Sequence, residues 1–110
     1  MKTLSLNYCR LGNPETVSEL HTLVGKEDPS IMFLMETRLE LRHLEFLHVR
    51  LGMRGCFGVD RHGFGGGLAL LWSSSIDIHI QSFSNHHIDA DMIQEDGLRW
   101  RATGFFVHPE

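Results

Sequence analysis

Ile31-Met32-Phe33-Leu34-Met35 is a run of five apolar residues without a polar interruption, closed by Pro29 on one side and Glu36 on the other. Its length is that of a strand, and with no polar residue on either face it must be covered on both. A strand of that kind forces a layered domain, because each face of its sheet needs an apolar partner stacked on it. Gly67-Leu68-Ala69-Leu70-Leu71-Trp72 has the same character and predicts a second central strand.

The flanking segments supply the layers. Asn13 is placed to cap a helix, Pro14 suits its first position and Glu15 puts an acidic group in its first turn. Val17, Leu20 and Val24 then fall three and four apart, giving one buried stripe, and Gly25 and Pro29 are expected to end the helix. With a short strand at residues 4–7, this is a strand, helix, strand unit. Leu41, Leu44, Leu47 and Leu51, separated by Arg, Glu and His, predict a second amphipathic helix over residues 39–51, ending at Gly52. Beyond Gly55 come strand-like segments at 56–59, 67–72, 76–80 and 99–107, divided by Gly, Ser and Asn clusters. Ile76, Ile78 and Ile80 alternate with polar residues, as in a strand with one wet face. The expectation is one α/β domain spanning residues 1–110, a mixed sheet with two flanking helices, in which 31–35, 67–72 and 99–107 share a sheet.

Charge narrows the function classes. Ten Lys and Arg against fourteen Asp and Glu leave a net charge of −4, which excludes a broadly basic surface holding nucleic acid by electrostatics alone. A nucleic-acid role must lie in a localised site. No apolar run approaches the roughly 18 residues of a membrane span, and the first residues lack the apolar core of a secretory signal, so a membrane is not an expected partner and the chain reads as intracellular. Cys9 and Cys56 are too few and too far apart for a disulfide framework or a paired-cysteine metal site, and read as buried free thiols.

Several residue groups invite chemical readings. Residues 63–67, Gly-Phe-Gly-Gly-Gly, lack the lysine of a phosphate-binding loop and lead into a strand, which makes them a tight turn. His87, Asp89 and Asp91 would share one face of a strand; adjacent exposed polar residues are the commoner explanation than a transition-metal site. His43 and His48, five apart, do not share a helical face. Trp72 closes an apolar strand and reads as core, whereas Trp100, between Arg99 and Arg101, suits either core or a phosphate-facing edge. Glu36 directly follows a buried run, where a solvated or capping residue is usual, and Asn7 alone is most often a turn or cap residue.

Taken in order, Leu4-Ser5-Leu6-Asn7 with Gly12-Asn13-Pro14, Phe33-Leu34-Met35-Glu36-Thr37, the segment 66–72, Ser84-Asn85-His86-His87-Ile88-Asp89 and the segment 100–110 resemble the endonuclease/exonuclease/phosphatase superfamily. More narrowly they resemble the N-terminal half of the endonuclease domain of plant non-LTR (LINE-type) retrotransposons. The resemblance implies half of a four-layer α/β sandwich and a Mg²⁺-dependent phosphodiesterase whose full-length ancestor acts on DNA. It also implies that Asn7, at the end of the first strand, and Glu36, after the second, are metal-side residues. Mg²⁺ is a hard ion that takes oxygen ligands, which an amide and a carboxylate provide.

Departures from the family pattern bear on activity. Leu6 stands where the family has Trp, and Phe106 stands where it has a Tyr whose phenol contacts the scissile phosphate. The family's Gly-Asp-Phe-Asn and Ser-Asp-His segments have no counterpart here. The resemblance therefore implies a truncated endonuclease-type domain with weak or lost Mg²⁺ binding and no activity alone, nuclear if the retroelement role is kept. The alternative is a non-enzymatic α/β fragment that self-associates or binds a partner chain.

Overall fold

The computed structural model describes residues 2–7, 14–35, 37, 41–59, 67–84 and 86–105, with backbone alone for Asn7, Leu41, Gly104 and Phe105. The elements run β1 (Thr3–Asn7), α1 (Pro14–Glu27), β2 (Ile31–Met35), α2 (Leu41–Arg50), β3 (Gly55–Val59), β4 (Leu68–Trp72), β5 (Ile76–Phe83), β6 (His87–Gln94) and β7 (Arg99–Phe105). They form two sheets, one of order β1-β2-β4-β3 and one of order β5-β6-β7. The first is mixed: β1 and β2 are parallel, and β4 runs antiparallel to both of its neighbours. The second is an antiparallel meander.

The five-residue run is covered on both faces as its composition requires. Met32 and Leu34 point into a core shared with Leu20 of α1, Leu44 and Leu47 of α2, and Ala69 and Leu71 of β4. Ile31 and Phe33 point the other way, against Leu68 and Leu70 of β4 and Ile88, Ala90 and Met92 of β6. Both helices therefore lie on one face of the first sheet and the second sheet lies on the other. The layered α/β architecture with a mixed sheet and two helices is as the sequence predicts, and the described residues fill three layers.

Four details differ from the sequence reading. Residues 99–105 pair with β6 in the second sheet, not with β2 and β4, because the turn at Ser73–Ser75 folds the chain back beneath the first sheet and the strands that follow continue as a meander. Residues 87–94, absent from the strand-like segments although His87, Asp89 and Asp91 are spaced for one face of a strand, form the central strand of that sheet. Helix α1 passes through Gly25 and ends at Glu27, where Asp28 adopts φ 47° and its N–H bonds the Val24 carbonyl at 2.8 Å, a left-handed cap just ahead of Pro29. Helix α2 ends at Arg50, and Leu51 and Gly52 form the turn beyond it, Gly52 with φ 73°.

Candidate functional site

One end of the first sheet collects the strand termini that matter. In the parallel β1–β2 pair, Asn7 lies beside Met35, so both strands finish at the same level. Leu68, the first residue of β4, pairs with Met35 on one side and with Val59, the last of β3, on the other. The Thr37 N–H donates to the Gly67 carbonyl at 3.2 Å, tying the segment after β2 to the entry of β4, and Thr37 is buried.

The second sheet is oriented by its opposite end. Ser73 N–H donates to the Ser30 carbonyl at 2.9 Å, and Ile76 and Gln94 line a depression together with Ser30, so β5 starts and β6 finishes where β2 begins. Strands β5 and β7 consequently run toward the end at which β1 and β2 finish. Phe57, at the middle of β3, and Phe83, the last residue of β5, make an edge-to-face contact, with ring centroids 5.2 Å apart.

Asn7 closes β1; its side chain lies outside the described residues, as do Glu36 and Phe106. Met35 and Phe105, which precede those two in sequence, close β2 and β7. The backbone thus brings the ends of β1 and β2 together in register. The segment 63–66 and Cys9 also lie outside the described residues, and Cys56 is a half-buried free thiol.

The His87, Asp89, Asp91 group is not a convergent cluster. His87 is held by Ser84 Oγ, 2.6 Å from its Nδ1, and by Ser82 Oγ, 3.2 Å from its Nε2. Asp89 is buried, at 7% exposure, instead of solvated. Its carboxylate accepts from Arg101 Nε at 3.2 Å, Arg101 Nη2 at 2.5 Å and Thr103 Oγ1 at 3.0 Å, across the β6–β7 ladder. The Arg101 guanidinium holds the carboxyl below its ordinary value against the opposing effect of burial, and the Thr103 hydroxyl adds to it. Trp72 packs against the inter-sheet core, as expected, while Trp100 is 51% exposed on the edge strand β7.

A second grouping went unseen in the sequence. Glu45 and His48, three apart on α2, meet Cys56 of β3, because the Leu51–Arg54 turn folds β3 back along the helix. The helical spacing of the first two was visible; the approach of Cys56 depends on the tertiary turn.

A model of the endonuclease/exonuclease/phosphatase family matches residues 6–109. No curated protein matches the chain. Among solved structures, the AP endonuclease LMAP from Leishmania major superposes with a TM-score of 0.59 at 15% identity, over 96% of this chain and 39% of its own. A humanized D. rerio TDP2 with 14 mutations gives 0.58 at 16% identity, over 91% of this chain and 47% of its own. TDP2 from Caenorhabditis elegans gives 0.57 at 15% identity, over 96% and 35%. At such identities the likeness is one of fold, and the chain spans less than half the length of each of these neighbours.

Proposed function

The chain belongs to the endonuclease/exonuclease/phosphatase family, and from that premise we propose that it carries the first part of a divalent-metal phosphodiesterase site for DNA. In this reading Asn7 and Glu36 are its metal-side residues. The supporting observation is the parallel register that sets Asn7 beside Met35, one residue ahead of Glu36. A side-chain amide and a carboxylate are hard oxygen donors, which fits Mg²⁺ better than any softer ion. When bound, such an ion would polarise a phosphoryl oxygen and help to orient the phosphodiester. The chain's own contribution is placement: the paired strands β1 and β2 fix where those two residues leave the sheet.

We further propose that these 110 residues do not hydrolyse DNA alone and descend from a retrotransposon endonuclease of the LINE type. The ordered motifs from Leu4-Ser5-Leu6-Asn7 to the segment 100–110 support the descent. Inactivity is supported by Phe106, which has no hydroxyl to offer a phosphate. Loss of a general base or a transition-state donor removes roughly 10²- to 10⁴-fold in rate for each group. The test is nicking of supercoiled and abasic plasmid in Mg²⁺. No nicking is expected, and weak Mg²⁺ binding that falls further in Glu36→Ala; Mg²⁺-dependent nicking abolished by Glu36→Ala would overturn the inactivity and keep the site.

A second reading, an interaction fragment that self-associates, is favoured by one feature. Strands β1 and β7 end their sheets on the same side of the molecule, and between them opens a cavity of about 200 Å³ lined by Ser5, Phe33, Ile88, Ala90 and Ala102 among others.

A further inference from the structure

The ligand atoms of Glu45, His48 and Cys56 all lie within 4.8 Å of one another, the one such grouping of His, Cys and carboxylate among the described residues. They come from two elements, α2 and β3, on the helical side of the first sheet, a place the phosphodiesterase reading does not use. We propose that Glu45, His48 and Cys56 form a binding site for a borderline transition-metal ion of the Zn²⁺ class.

The His48 ring carries the argument. Its Nδ1 lies 2.9 Å from the Met53 carbonyl oxygen, which can only accept, so Nδ1 bears the hydrogen. In the neutral ring Nε2 is then a bare lone pair, and it faces the Glu45 carboxylate at 3.1 Å. Two lone-pair-bearing atoms at that separation repel unless a positive charge lies between them, either a second proton on the ring or a metal ion. A ring nitrogen fixed by a backbone carbonyl while the other faces a carboxylate, with a thiol in the same grouping, is the arrangement that metal-ligating histidines show.

The donor set selects the ion. Imidazole nitrogen, thiolate sulfur and carboxylate oxygen suit Zn²⁺ and its substitute Co²⁺, and do not suit Mg²⁺, which requires oxygen ligands. Neighbouring ligands in a tetrahedral zinc centre sit about 3.4–3.7 Å apart. Glu45 and His48, 3.1 Å apart, are already inside that spacing, and the 4.8 Å within which all three ligand atoms lie leaves at most roughly 1 Å to close about Cys56; the Glu45 side chain is 74% exposed and His48 13%. Binding would break the Cys56 S–H bond, form the S–metal bond and release the proton to water. Without a cation the thiol is held protonated: burial, then the Glu45 carboxylate, push it up to about 11. Three protein ligands leave a fourth position for water.

Titrating the 110-residue chain with Co²⁺ tests this through the near-ultraviolet charge-transfer band that a thiolate gives when it binds cobalt. One equivalent per chain, displaced by Zn²⁺, is expected. Cys56→Ser should abolish the band, and Glu45→Gln and His48→Gln should weaken binding at least about tenfold. Cys9→Ser and Glu36→Ala should leave it intact, which separates this site from the one proposed for Mg²⁺. Glu45→Gln lies on an exposed helix face, so it remains informative if the Cys56 variant fails to fold. Absence of the band at millimolar Co²⁺, its survival in Cys56→Ser, its loss in Cys9→Ser, or unchanged affinity in Glu45→Gln would each overturn the proposal.

Discussion

A Cβ at position 55 would sit 2.4–2.6 Å from three atoms of the Trp72 indole, closer than packed carbons approach, while nothing lies within 4 Å of one at position 25. Gly55 is opposite Trp72 in the β3–β4 ladder, so the missing side chain is the space that the indole occupies. Gly55→Ala should therefore cost about 1–3 kcal/mol by overpacking. Gly25→Ala, in the helix interior, should gain up to about 1 kcal/mol. Urea melts of the two variants check the opposite signs. Asp89 offers a test of a different kind. Its carboxyl ionises below the ordinary value of about 3.9 because of Arg101. The charged form is thus favoured by folding, and the stability this contributes is complete above that value and lost as pH falls through the folded one. In Asp89→Asn, melting temperatures should lie below wild type by a constant amount above pH 5, and the gap should close toward pH 3. A gap that persists in acid would mean that Asp89 matters through packing instead.

At the scale of elements, what was legible followed from periodicity, and what was missed had its period masked by chemistry. Strand β2 was evident because an unbroken apolar run has only one way to be buried. Strand β6 has Ile88, Ala90 and Met92 inward, but the intervening His87, Asp89 and Asp91 read as a polar cluster, and Asp89 is itself buried. Asp89 is tolerated at a buried position only because Arg101 and Thr103 arrive from β7, a pairing twelve to fourteen residues away that no local pattern reveals. The Asn7 and Glu36 site was legible only as a resemblance, since nothing local in an Asn or a Glu at a strand end distinguishes a ligand from a cap. The end of α1 shows the same limit. Of the two expected stops, Gly25 is passed and Pro29 directly follows the actual one, Asp28 at φ 47°, since a residue with a short polar side chain can adopt the left-handed conformation at modest expense. Glycine does so without a Cβ penalty, so Asp28→Gly should stabilise the chain by about 0.5–1 kcal/mol, measurable as a higher urea midpoint at unchanged slope. A loss would show that the Asp28 side chain contributes more than its backbone strain costs.

For the whole molecule the decisive question is how much apolar surface stays wet. The inner face of the first sheet is closed by β6: Ile31 is 3% and Phe33 7% exposed. Among the described residues the uncovered apolar surface includes Phe46 and Val49 of α2, 76% and 70% exposed, and, beside the second sheet, the overhang of β7. Trp100 and Ala102 sit opposite Met92 and Ala90 in the ladder and so share their inward-facing side, yet Trp100 is 51% exposed, because the first sheet ends at β1 and leaves that side open. Half an indole is roughly 100 Å² of apolar surface, worth about 2–3 kcal/mol per copy when buried. Two copies recover about 5 kcal/mol, to which β1 and β7, edge strands among the described residues, can add main-chain hydrogen bonds. Association must offset at least about 4 kcal/mol of lost translational and rotational freedom. The balance is small, so the chain should fold as a unit with a cooperative melt and self-associate weakly, with a dissociation constant in the micromolar to millimolar range. Sedimentation velocity across that range should show concentration-dependent dimer in wild type and monomer in Trp100→Lys, whose charge cannot be buried in the cleft. A wild-type chain that stays monomeric at millimolar concentration, or a Trp100→Lys variant that still dimerises, would show that the overhang is not the associating surface.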